Sequence, residues 1–217
     1  LGLSLIQEGS FERIDGSVYV ALFINAFLTM LAYPLIPLLE RLFRFISPIT
    51  LIELSDMNRP MLRELAIKAP GTLQHSLQVA NLAEAAARKV GADPLLVKTG
   101  ALYHDIGKTL HPSYFVENQS SRNPHEGKTP LESTEIIIEH VTEGVQMAKK
   151  HRLPNVLIDF IRTHHGTTRV EYFYRNYKNE HPDEEVDEAF FRYPGPKPRS
   201  KEETILMMAD SIEAACK

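Results

Sequence analysis

Hydrophobic and polar positions follow two regimes along this chain. From 18 to 39 the text VYVALFINAFLTMLAYPLIPLL carries no charged residue, and that is about the length a helix needs to cross the hydrocarbon core of a bilayer. A buried core helix is the competing reading, because Pro34 and Pro37 would kink the end of the run. After the linker SPITLIELSDMNRPM, apolar residues recur at the i, i+3, i+4 spacing of amphipathic helices. That spacing predicts a helix over 72–90 stopped by Gly91. A second opens with Asp93 as N-cap and Pro94 at its first position, and ends near Gly107. Further helices are predicted over 133–151, over 155–165 with Gly166 as terminator, and over 202–216. No segment reads as a strand, so an all-α fold is expected. The stretches 109–130 and 167–200 read as long loops, and loops of that length often carry function.

Several polar residues lie on the apolar faces. His75 is in register with Val79, Leu82, Ala83, Ala86 and Val90, while His104 and Asp105 stand beside Val97 and Ala101. His140 follows Ile136 by one turn, His164 and His165 follow Leu157 and Ile161, and Asp210 follows Leu206 and Met207. A single buried histidine is satisfied by a backbone carbonyl. Burying all of these groups without strong partners would cost about 1–3 kcal/mol each. A metal centre would satisfy them together, and five imidazoles with two carboxylates suit a pair of ions with one carboxylate shared. His111, His125, His151 and His181 fall in predicted loops or at a helix end, where solvated or capping roles are expected.

Charge and composition narrow the chemistry. The chain has 217 residues and a net charge of −4, without a basic block, which argues against a polymeric nucleic acid and leaves room for a small phosphorylated ligand. The single cysteine, Cys216, excludes an internal disulfide framework and a cysteine-rich zinc site. Acidic residues dominate before the apolar run (Glu8, Glu12, Asp15), and Arg41 and Arg44 follow it. The positive-inside rule then places everything after residue 45 in the cytoplasm. The absence of a basic n-region argues against a secretory signal, and the expectation is a piece of a longer membrane protein.

The order His75, then His104-Asp105, then Asp210 resembles the H…HD…D signature of the HD-domain metal-dependent phosphohydrolases, and His140 with His164-His165 resembles their two-metal subset. Longer stretches, among them PLIPLLERLF at 34–43, APGTLQHS, NLAEAAA, GALYHDIGK, YFVENQ, NPHE, HHGTT, FRYPGPKP and MMADSIEAA, resemble the cytoplasmic HD domain of seven-transmembrane HD proteins. The similarity covers essentially 34–217.

The resemblance implies an all-α HD-domain helical bundle around a two-metal site. It divides the chain into an extramembrane segment 1–17, a last transmembrane helix over 18–45, a linker helix region 46–71, and an HD domain 72–217 that is truncated at its C-terminal end. It further implies one ion held by His75, His104, Asp105 and Asp210 and a second by Asp105, His140, His164 and His165. Mn or Fe is favoured by nitrogen-rich, thiol-free ligation. Activated water would open the second messenger cyclic di-AMP to linear pApA, with His104 and Asp105 at the catalytic centre and Lys108 neutralising a phosphate oxygen. Substrate contacts are expected from Lys108, Thr167, Thr168, Tyr114 and Arg199, with Lys197 a weaker candidate. HHGTT stands where cyclic di-GMP enzymes carry a GYP element, which lowers that reading. The alternatives are a phosphohydrolase of cyclic di-GMP or a guanosine polyphosphate, or a non-catalytic cyclic-dinucleotide sensor. The expected location is the cell membrane with the HD domain cytoplasmic, and a homodimer is left open.

Overall fold

The computed structural model describes residues 16–43, 45–120, 123–183 and 185–216. The expected extramembrane segment therefore lies outside the described residues up to position 15, as do Arg44 and Lys217. The chain divides into two compact units, Leu1–Ser47 and Pro48–Lys217.

Among the described residues, the first unit contains α1 (Gly16–Phe43), which runs through Pro34 and Pro37. Its span Gly16–Glu40 is long and apolar enough to cross a membrane, and none of it is buried. A core helix would be covered by other elements, whereas Phe23 and Met30 are 73% and 76% exposed.

In the second unit, proline punctuates the helix starts: α2 (Pro48–Leu54), α3 (Pro60–Lys68), α4 (Pro70–Val90), α5 (Pro94–Tyr103) and α6 (Pro130–Lys150). Its missing N–H costs nothing in a first turn, where that donor has no intrahelical partner. α2 lays Leu51 into the core, and the Tyr103 hydroxyl donates to its last carbonyl, Leu54 O, at 2.7 Å. Ala69 ends α3 and opens α4. Gly91 stops α4 in the left-handed region (φ 68°), and Asp93 caps α5 by accepting from the N–H groups of Leu95 and Leu96. The buried face of α4 is Thr72, His75, Ser76, Val79, Ala80, Ala83 and Ala87. It is rotated from the expected stripe: Leu82 and Val90 are exposed, because packing on α5 selects the small side chains that allow close approach.

Several expectations are corrected. α5 ends at Tyr103 rather than near Gly107; His104 and Asp105 form a turn that leads into a 3-10 helix, Ile106–Thr109. α6 starts at Pro130 because Thr129 and Glu132 form a reciprocal capping box. The region expected as a loop over 167–200 contains α8 (Glu171–Glu180), whose Phe173, Tyr174 and Tyr177 are half-buried, and a 3-10 turn at Glu188–Phe191. Between 109 and 130, two short 3-10 turns (Pro112–Tyr114 and Val116–Asn118) replace a featureless loop.

α7 (Asn155–Thr163) packs against α5 and α6, and α9 (Lys201–Ala215) against α4 and α5. Among the described residues the sole β feature is an isolated antiparallel bridge, Arg169 with Arg192. Close approaches to α6 and α7 require glycine at two positions near the site. A Cβ on Gly100 would lie 2.6 Å from the Phe160 ring of α7, and one on Gly107 would lie 1.9 Å from the carbonyl oxygen of His140 in α6. These close approaches set the distance between the elements that carry the site.

Candidate metal centre

Each polar residue singled out from the sequence is brought inward by a local feature of its own element. His104 is the residue after α5 and Asp105 the next; their backbone turns from (−55°, −35°) to (−105°, 16°), so the two side chains diverge from one place. His104 Nδ1 donates to Ala101 O at 2.7 Å and His164 Nδ1 to Ile161 O at 2.8 Å, which leaves both Nε2 atoms facing inward. His140 Nδ1 donates to Ile137 O in the same way. His75, from the second turn of α4, instead donates Nδ1–H to Glu213 Oε2 of α9 at 2.6 Å.

The inward atoms form two groups, Asp105 with His140, His164 and His165, and His75 with His104 and Asp210, each with its donor atoms within 4.8 Å of one another. Asp105 faces both. Its Oδ1 lies 3.3 Å from His140 Nε2 and 3.5 Å from His164 Nε2. Its Oδ2 lies 3.3 Å from His104 Nε2 and 3.5 Å from His75 Nε2. Asp210 places Oδ1 2.9 Å from His75 Nε2 and Oδ2 3.8 Å from His165 Nδ1. His165 is the most open of these residues, with its side chain 26% exposed, against 10% or less for the rest.

Electrostatics separates the groups. Burial alone would lower His104, but the Asp105 and Asp210 carboxylates outweigh it and raise its pKa to about 10. Burial would raise Asp105, yet Lys108 and His104 hold it well below the usual carboxylate range; Asp210 is likewise held low against its burial by the neighbouring His104 and His75 imidazoles. His164 and His165 are pushed down, first by burial and then by neighbouring imidazoles, so they stay neutral with lone pairs available.

The donor set fits divalent cations. His104 Nε2 and Asp105 Oδ1 are buried without a hydrogen-bond partner, and a buried polar atom left so pays its full desolvation cost. His140 Nε2 and His164 Nε2 face each other at 3.2 Å, a spacing that a shared cation or proton relieves.

Lys108, expected to be available to a phosphate, is placed with Nζ 2.6 Å from Asp105 Oδ2 and 3.0 Å from Glu117 Oε1. The Thr168 hydroxyl donates to the His165 carbonyl, and the Thr167 carbonyl accepts from Arg192, so both shape the turn after the paired histidines. Tyr114 packs on the rings of His111 and His125, in a cluster that Phe173 completes. The exposed Arg199 offers its backbone N–H to Glu203 at the start of α9, and Lys197 is exposed. Of the histidines set aside, His125 Nε2 donates to Tyr114 O, His151 caps α6 and His181 stacks on Tyr177.

Sequence reasoning missed Glu213 and Glu117. Glu213 lies three residues after Asp210 on the same helix face, a spacing that could have revealed it. Glu117 sits in YFVENQ and accepts from Thr72 as well as Lys108. Tyr193, in FRYPGPKP, stacks on His165 at 4.2 Å and 26°, with its N–H bonded to Thr168 O at 2.9 Å. Burial raises its pKa.

The chain resembles known proteins. Residues 72–215 match the model of the HD domain. The chain is 49% identical over 187 residues to the cyclic-di-AMP phosphodiesterase PgpH of Listeria monocytogenes, covering 86% of this chain and 26% of that protein. It is 43% identical over 218 residues to PgpH of Bacillus subtilis, covering 99% of this chain and 30% of that protein. The chain thus spans between a quarter and a third of the length of these curated relatives. A crystal structure of the L. monocytogenes PgpH HD domain in complex with cyclic di-AMP matches with a TM-score of 0.71 and 50% identity, covering 75% of each chain. With its helical bundle and inward-facing histidine and aspartate donors, the chain belongs to the HD-domain family.

Proposed function

We propose that the unit Pro48–Lys217 is a metal-dependent phosphodiesterase that hydrolyses cyclic di-AMP to pApA, carried on a membrane by α1 with the HD domain on the cytoplasmic side. The observation that carries the reading is Asp105, whose two oxygens address two separate donor groups. The activity named for the PgpH relatives supports the substrate. The uncharged run, followed by Arg41 and Arg44, supports the anchor and its orientation.

One ion is assigned to His75, His104, Asp105 and Asp210 and the other to Asp105, His140, His164 and His165, with Mn or Fe favoured by ligands of nitrogen and oxygen alone. Divalent cations bound there lower the pKa of water and neutralise charge on a phosphodiester. Asp105 sets the spacing of the two groups. Lys108 holds a positive charge against Asp105, tethered from behind by Glu117, and can turn that charge towards a phosphate oxygen. His165, on the open side with Tyr193 stacked behind it, lies where a ligand enters. Water adds across one phosphodiester: its oxygen ends on phosphorus, its proton on the released 3′ oxygen, and pApA results. Thr167, Thr168, Tyr114 and Arg199 remain the proposed outer substrate contacts.

The test incubates the full chain in detergent with Mn(II) and cyclic di-AMP, with cyclic di-GMP as an equimolar competitor. pApA formation that vanishes in Asp105→Ala supports the proposal. Cyclic di-AMP that stays intact at full metal occupancy overturns it in favour of a sensor.

A further inference from the structure

Three of the inward histidines, His104, His140 and His164, fix their outer nitrogen on a carbonyl three residues earlier in their own segment. His75 differs. Its Nδ1 is bonded at 2.6 Å to Glu213, on a helix 138 residues away in the chain. The bond directs Nε2 to Asp210 Oδ1 at 2.9 Å. Glu213 and Asp210 are three residues apart on α9, so one helix supplies both a donor to this group and the anchor of its neighbour. The Glu213 side chain is 10% exposed, which keeps the bond largely shielded from water.

Charge gives the arrangement its purpose. The Asp105 oxygen that faces His75 and His104 also lies 2.6 Å from the Lys108 ammonium, which withdraws negative charge from this side of the centre. Nothing comparable is within ion-pair distance of the oxygen that faces His140 and His164, among the described residues. A carboxylate behind His75 restores what Lys108 removes. It makes Nε2 a stronger donor than a backbone carbonyl would and holds the ring at one rotation.

Resting on the two-ion reading above, we infer that Glu213 is a positioning residue: it fixes His75 with the proton on Nδ1 and sets the cation affinity of the His75, His104, Asp210 group, leaving the His140, His164, His165 group to other supports.

The test is Mn(II) binding by the chelator-treated full chain in detergent, followed by electron paramagnetic resonance of free Mn(II), with thermal unfolding in parallel. His140→Ala identifies which step of the titration belongs to which group. Glu213→Ala is expected to weaken the His75 step about 10–100-fold and leave the other step in place. Glu213→Gln, whose amide oxygen still accepts from Nδ1–H and holds the ring but carries no negative charge, is expected to recover only the orienting part of that loss. Equal weakening of both steps, or a Gln variant as weak as Ala, overturns the inference in favour of a packing role, as does wild-type affinity in Glu213→Ala. Two Mn(II) steps that ignore Glu213 would sink this inference alone, whereas a wild-type chain that takes up no Mn(II) would sink the proposed function with it.

Discussion

Replacing Gly107 by alanine tests whether the spacing between the HD turn and α6 sets the metal centre. A Cβ there would stand 1.9 Å from His140 O and 2.8 Å from both His140 C and Gly144 N, all of them backbone atoms that no rotamer change can move. Ordinary contact begins at 3.4 Å, so the 3-10 turn and α6 must separate by about 1.5 Å. Overpacking of this kind costs about 1–3 kcal/mol, which lowers Tm by about 2–12 °C in a domain of this size. The larger effect falls on the site. His140 rides on the displaced backbone, and its Nε2 is 3.3 Å from Asp105 Oδ1. A misplacement of about 1 Å can cost about 100-fold in rate. Circular dichroism melting together with Mn(II) titration is the assay: Tm should fall, and affinity should drop at the His140 group while the His75 group persists. An unchanged Tm with two intact binding steps would refute the argument that this glycine sets the site's dimensions.

Asp105→Ala should remove both Mn(II) equivalents, while His75→Ala removes one; metal analysis after gel filtration decides, and two ions retained in Asp105→Ala would exclude a shared carboxylate. Thr129→Ala breaks the capping box of α6 and should cost about 1 kcal/mol in urea unfolding with activity unchanged, since the cap lies eleven residues before His140. Burial raises the Tyr103 pKa from 10.0 to about 12, and the hydroxyl donates to Leu54 O. Its contribution is therefore complete below pH 10 and lost as pH rises towards about 12, at up to about 1.4 kcal/mol per pH unit. Unfolding titrations between those limits should fall less steeply in Tyr103→Phe than in the parent chain.

Features that depend on neighbours in the chain were legible from sequence. Gly91, Asp93 and Pro94 punctuate α4 and α5 because caps are satisfied within a few residues, and a run without charge at 18–39 declares a membrane-length helix by composition alone. The inward set was legible as well, because imidazoles and carboxylates on apolar faces demand partners wherever the helices go. Other features needed the third dimension. The buried stripe of α4 centres on Ala83 and Ala87 and leaves Leu82 and Val90 outside, a choice that depends on how α5 lies against it. α8 escaped notice because its sequence is mostly polar, and its half-buried aromatic face has meaning only once Phe191 packs on it. Lys108 read as a free cation until Asp105 and Glu117 closed around it. What the sequence determined by itself was the kind of chemistry: which ligand types point inward, and from which elements. The resemblance already divided those residues into two groups with Asp105 shared; the tertiary structure decided the distances within and between the groups and the hydrogen bond from His75 to Glu213, because each is a distance between residues that share no local segment, set by how closely glycine and alanine let the helices approach.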